Sequence, residues 1–384
     1  MKKVYLDNAN STPVDPRVSD VMDPYIREKF GNPSSLHDYG VEAKKAIDDA
    51  RKNVADLISA DPGEIFFTSS GSESNNFAVK GIAFANQTKG NHVIASSVEH
   101  VSVLHSIKFL EKFGFKVTLL PVDKYGTVSP DELKKAITKE TVLIAVMHAS
   151  NEVGTIEPIE QLAQIAAENK IPFHCDGVQT VGTVPVDVKR LKVSTMSFSA
   201  QQFYGPKGIA ALYISKGTRV IPFIDGGIQE EGRRAGTENV PGIVGLGMAA
   251  DLAKDEMKQR IDKSQKLRDK LISELSKKVE DSVLTGHPKD RLPGHASFCV
   301  NKIEGESMTM FLNMDGVAAS TGSACVSRAL KASHVLSAMG VDPVLAQGSI
   351  MFSIGKDNSE EDIDHVLEKL PPIVERLRAM SPLR

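Results

Sequence analysis

Thr68-Ser69-Ser70-Gly71-Ser72-Glu73-Ser74-Asn75-Asn76 is a run of hydroxyl, glycine and amide residues that follows a candidate strand and opens a candidate helix. The first N–H groups of a helix have no intrahelical partner, and together with a hydroxyl they suit a phosphate dianion. An ordinary N-capped turn has the same composition, so the stretch alone leaves both readings open. Outward from it, short β-rich runs at 64–68, 92–95, 116–120, 142–147, 171–176, 195–199 and 209–214 read as strands, and most are continuous apolar runs, as expected for strands covered on both faces. Helix-period stretches lie between them. In 41–60, Ile47, Ala50, Val54, Leu57 and Ile58 recur at intervals of three and four and form one apolar stripe. Such alternation predicts an α/β fold around a mostly parallel sheet with right-handed crossovers.

Composition limits the function. The chain has 384 residues, 41% hydrophobic and 25% charged, enough for a large core and two domains. A net charge of −3 leaves no dominant basic face, so nucleic acid is not the expected partner. No apolar run approaches the ~20 residues of a membrane helix, and Met1–Asp7 has no signal-like apolar core. Three cysteines, Cys175, Cys299 and Cys325, are too few for a disulfide framework and point to a reducing, cytoplasmic setting. Near residue 250 the pattern changes. A long charged helical stretch at 249–280 leads into a smaller α+β region. Ser359 and Asp362 look like a cap opening a final helix, which Pro371-Pro372 should break or kink.

Ser197-Phe198-Ser199-Ala200-Gln201-Gln202-Phe203-Tyr204-Gly205-Pro206-Lys207-Gly208 resembles the cofactor-lysine segment of the cysteine desulfurases, Ser-x-His-Lys-x-x-Gly-Pro-Lys-Gly. The resemblance runs nearly end to end, from Tyr5-Leu6-Asp7-Asn8-Ala9 through Gly31-Asn32-Pro33 into the C-terminal region. It implies a fold-type-I pyridoxal-phosphate-dependent transferase with a seven-stranded sheet. Residues 14–256 would form the large cofactor-binding domain. Residues 1–13 and 257–384 would form the small domain carrying the active-site cysteine loop. It further implies that Gly71 and Ser72 hold the cofactor phosphate, with Gln201 where the family has a phosphate-contacting histidine. Ser199 belongs to the same cofactor-binding set. Asp176 would keep the ring nitrogen protonated, and Gln179 would bond the ring hydroxyl. His100 would stack on the ring. Asn151 would stand beside the ring hydroxyl and the substrate carboxylate. Thr237 would reach the phosphate of a neighbouring subunit, implying a homodimer. Cys325, ending the small-residue run Ala319–Ala324, would sit exposed on a loop, attack the sulfur of L-cysteine and carry it as a persulfide. Cys175 and Cys299 read as buried thiols.

Two departures bear on the chemistry. Gln202 stands where the family has the Schiff-base lysine, and an amide nitrogen cannot form an imine. Met351 stands where the family has an arginine that clamps the substrate carboxylate. Lys207 matches a structural lysine, not the missing one. Two readings follow. In one, pyridoxal phosphate binds noncovalently and His100 moves protons. In the other, the chain is an impaired homologue that docks an iron–sulfur scaffold protein, Cys325 accepting sulfur or transiently ligating iron.

Overall fold

The computed structural model describes residues 2–322 and 333–380. Its main sheet has seven strands, in spatial order Ile65–Thr68, Ala210–Ile214, Thr195–Ser199, Phe173–Asp176, Thr141–Ala145, His92–Ser96 and Lys116–Leu120. All neighbours pair in parallel except those of Ala210–Ile214, which is antiparallel to the strand on either side. The seven β-rich runs of the sequence are these seven strands, displaced by at most two residues at an end. Six of the seven are buried along their whole length, the exception being the edge strand Lys116–Leu120, which explains why most read as continuous apolar runs rather than alternating ones.

Helix Asp38–Leu57 packs its predicted stripe inward: Ile47, Ala50 and Val54 are at most 4% exposed. It lies along helix Val240–Lys278, which joins two cores. The first turns of that long helix bury Val240, Ile243, Leu246 and Ala250 against the large sheet. Its later turns bury Leu267, Leu271 and Leu275 in a second core with Val4, Leu6, Phe298, Ile350 and Phe352. The second core surrounds an antiparallel sheet ordered Ser349–Ser353, His295–Val300, Ser282–Thr285.

The last helix corrects one expectation. Glu360–Met380 continues through both Pro371 and Pro372. Each proline removes an intrahelical donor and costs about 3 kcal/mol in an isolated helix. Here Leu367, Leu370, Ile373, Val374 and Leu377 carry one buried stripe across the prolines, and that burial outweighs the lost bonds. The expected cap is present, with the Ser359 N–H donating to Asp362 Oδ2 at 3.1 Å.

The N-terminal segment connects the small core to the large one. Val4–Tyr5 pairs in parallel with Val317–Ala318. Farther along, the Ala9 N–H donates to Ser353 Oγ at 2.8 Å and Asn8 Nδ2 to the Ser353 carbonyl at 2.8 Å. Ala9 and Asn10 then form one wall of the cavity described next.

Candidate active site

A cavity of about 240 Å³ opens beside the ends of the strands Phe173–Asp176 and Thr195–Ser199. Helix Gly71–Ala85 begins at its rim. Ser70 caps that helix, its hydroxyl accepting from the Glu73 N–H at 3.1 Å. The first intrahelical bond runs from the Ser74 N–H to the Ser70 carbonyl, so helix geometry leaves the N–H groups of Gly71 and Ser72 without an intrahelical acceptor. A Cβ on Gly71 would come within 2.7 Å of Val178 Cγ2, so glycine lets the helix start approach the opposite wall.

Nine of the residues singled out from the sequence line this one cavity: Gly71, Ser72, His100, Asn151, Asp176, Gln179, Ser199, Gln201 and Gln202. Asp176 ends the strand Phe173–Asp176 and is 5% exposed. Asn75 Nδ2 donates to its Oδ2 at 2.7 Å and the Val178 N–H donates to its Oδ1 at 3.0 Å. His100 caps helix Val101–Glu111 with Nδ1, which accepts from the Ser102 N–H at 3.2 Å and lies 2.7 Å from Ser102 Oγ. Gln179 Nε2 donates to the Ala9 carbonyl at 2.9 Å, joining the strand-end loop to the N-terminal wall. Gln202 ends a short turn, Ala200–Gln202, directly after the strand Thr195–Ser199. It is 7% exposed. It also borders an adjoining cavity of about 80 Å³, lined by Tyr204, Arg260 and Lys356 among others.

Thr237 and Met351 lie elsewhere. Thr237 is exposed and off this cavity, although Arg234 in the same stretch pairs with Glu73 at 2.9 Å, beside the helix start. Cys325 lies outside the described residues. Cys175 and Cys299 are fully buried free thiols, and burial pushes both up in pKa. Met351 is 3% exposed and does not border the cavity. Its sulfur lies 3.0 Å from His295 Nε2, which also faces the Asn151 carbonyl at 3.0 Å. Burial first, then the nearby Arg291, pushes His295 down to about 3. Where the resemblance expects a charged clamp, the structure holds a thioether against a neutral ring. Among the described residues, no lysine or arginine borders the larger cavity.

Asn75 and Met147, which also line the cavity, were not assigned roles from the sequence, nor was Ser102 behind His100. Asn75 sat within the quoted motif, and the signal that could have raised it is an amide on the same helix turn as the phosphate-type residues.

Buried acids surround the site. Glu99 is fully buried. Its Oε1 accepts from Ser96 Oγ at 2.6 Å and the Met147 N–H at 2.7 Å, while Oε2 has no partner, and burial raises its carboxyl well above the usual range. Glu157 is pushed up to about 8, chiefly by burial, and Glu152 to about 7. A carboxyl with a raised folded pKa stays protonated in the native state while the unfolded chain ionises. Stability is therefore fully present below the ordinary value and falls as pH rises towards 8, by up to about 1.4 kcal/mol per unit for one such group. Glu157→Gln should flatten that decline. Urea unfolding midpoints measured between pH 5 and 8 check it, and an unchanged slope would contradict the assignment.

The sequence model of the class-V aminotransferase family matches residues 4–366. The protein named cysteine desulfurase IscS of Dictyoglomus turgidum is 52% identical over 383 residues, covering 100% of this chain and 97% of that one. The chain belongs to the cysteine desulfurase family. Its counterpart of the same name in Methanosarcina thermophila is 53% identical over 382 residues, 100% of this chain and 94% of that one. Among solved structures, a NifS-like protein superposes with a TM-score of 0.92 at 40% identity, covering 98% of this chain and 100% of that one. A second, SspA in complex with cysteine, gives 0.81 at 34% identity, covering 92% and 99%. The fold is accordingly that of the fold-type-I pyridoxal-phosphate-dependent transferases. This cysteine desulfurase homologue carries the amide of Gln202 at the border of the 240 Å³ cavity. No helix among the described residues is long and apolar enough to cross a membrane.

Proposed function

We propose that this chain mobilises sulfur from L-cysteine for iron–sulfur cluster assembly, using pyridoxal phosphate held noncovalently in the larger cavity. The observation that carries this reading is the convergence of Gly71, Ser72, His100, Asp176 and Gln179 on one small space with Gln202 at its edge. These residues fit the cofactor in chemistry. The helix start and Ser72 offer donors to a phosphate, with the Gln201 amide as a further donor. The Asp176 side chain, fixed by two donors, offers a carboxylate to a ring nitrogen. His100 offers an imidazole to the ring face, and Gln179 an amide to a ring hydroxyl. When bound, the cofactor supplies an electron sink for the substrate carbon skeleton. This chain's residues bind and orient it, and Cys325 takes the sulfur atom as a persulfide.

Gln202 and Met351 favour a second reading, an impaired homologue that docks a scaffold protein and accepts sulfur at Cys325 or transiently holds iron there. The two separate apolar cores support a division into 14–256 and 1–13 with 257–384. Exposed Phe30, Leu36, Tyr39 and Ile228 support a face covered by a second copy, as a homodimer requires.

The discriminating experiment incubates purified protein with cofactor, L-cysteine and a thiol reductant. The first reading expects sulfide and alanine in equal amounts. Sulfide absent at every cofactor concentration would leave only the second.

A further inference from the structure

We propose that Asn75 is a positioning residue that ties Asp176 to His100 through Ser102 and thereby fixes which nitrogen of His100 carries the ring proton. The significance for catalysis rests on reading the cavity as the cofactor site; the hydrogen-bond chain itself does not.

Asn75 is 1% exposed, and its amide has four neighbours. Nδ2 lies 2.7 Å from Asp176 Oδ2 and 2.9 Å from Ser102 Oγ. Oδ1 lies 3.0 Å from His174 Nε2 and 2.5 Å from Ser197 Oγ. Only one amide orientation satisfies all four. A carboxylate accepts and does not donate, so Nδ2 must face Asp176. Oδ1 then receives the Ser197 hydroxyl and the N–H of His174. His174 is fully buried, and burial pushes it down to about 3. Its Nδ1 lies 2.9 Å from Thr195 Oγ1, which supplies the second hydrogen bond of the neutral ring.

The two Nδ2 hydrogens are used by Asp176 and Ser102. Ser102 Oγ, having accepted one, turns its own hydrogen to His100 Nδ1 at 2.7 Å. The Ser102 backbone N–H points at the same nitrogen from 3.2 Å, a longer contact that adds to the shorter one from the hydroxyl. His100 Nδ1 is thus an acceptor twice over, and the ring proton stands on Nε2. His100 consequently meets a bound molecule as a donor. Its use as a base requires the Ser102 hydroxyl to turn away, which Asn75 opposes. The partners lie 27 and 101 residues from Asn75 in the chain, so the network exists only in the fold.

The test is nitrogen NMR of the protein labelled with ¹⁵N-histidine, without cofactor, at a pH where the rings are neutral. His100→Gln assigns the His100 signals. The expected wild-type pattern is a protonated Nε2 and a bare Nδ1. In Asn75→Ala and in Ser102→Ala, the Nδ1–H form should rise to a detectable fraction. A wild-type ring protonated on Nδ1 overturns the proposal, as does a folded Asn75→Ala with the wild-type pattern. If Asn75→Ala does not fold, Ser102→Ala decides by the same readout. Cofactor titration is the separate arm. Asn75→Ala should bind it roughly tenfold more weakly, from the loss of a bond to a charged group. A normal tautomer result with no cofactor binding to the wild type keeps the network and removes the cofactor reading.

Discussion

Gln202→Lys should acquire an imine absorbance band at the edge of the visible when pyridoxal phosphate is added. The substituted side chain is one atom longer than glutamine. It would start from a buried turn that borders both the larger cavity and the adjoining 80 Å³ space, so there is room for it without displacing the sheet. Burial depresses an amine's pKa and favours the neutral form that attacks an aldehyde. The restored amine would also move protons, a role worth ~10²–10⁴-fold in rate. Sulfide release from cysteine should rise on that scale. A folded Gln202→Lys protein with no such band at saturating cofactor would show that position 202 does not face the reactive carbon.

Asp176→Ala should be the most damaging change that leaves the fold intact. It removes the acidic side chain assigned to the ring nitrogen and leaves the Asn75 amide and the Val178 N–H without their acceptor in a buried place. Loss of one charge-assisted hydrogen bond of this kind costs about 1.5–3 kcal/mol, or roughly 10–100-fold in cofactor affinity. Loss of the electrostatic partner of the electron sink should lower sulfide release by a further ~10²–10³-fold. Equilibrium cofactor titration and sulfide assays on the folded variant check both. Wild-type affinity in Asp176→Ala would mean that the ring nitrogen lies elsewhere.

Much of the architecture could be read before the coordinates because two-sided burial writes itself into sequence. A strand such as Ala210–Ile214 is apolar throughout, and the stripe Ile47–Ala50–Val54 has a helix period. The path of the last helix could not be read this way. Local rules stop a helix at Pro371-Pro372, and only the small core shows why this one continues. The antiparallel sense of Ala210–Ile214 likewise depends on pairing, which an apolar run does not encode.

The site divides along the same line. Residues in local motifs, Gly71 and Ser72 at a helix start or Asp176 at a strand end, stood out because those motifs resemble the family's. Residues defined by long-range contacts were not. Asn75 reads as filler inside its motif and Ser102 as an ordinary helix serine until the fold sets them between Asp176 and His100. The contact of Met351 with His295 was equally hidden, since 56 residues separate the two and neither signals the other.

On the proposed function, a space shaped for a phosphorylated aldehyde persists without its covalent anchor. Titrating pyridoxal phosphate into the wild-type protein, followed by borohydride reduction and intact-mass measurement, tests it most directly. Saturable binding that dialysis reverses, with no cofactor mass retained after reduction, is the predicted result. Absence of saturable binding, or a reduced adduct on some other lysine of the chain, would contradict it.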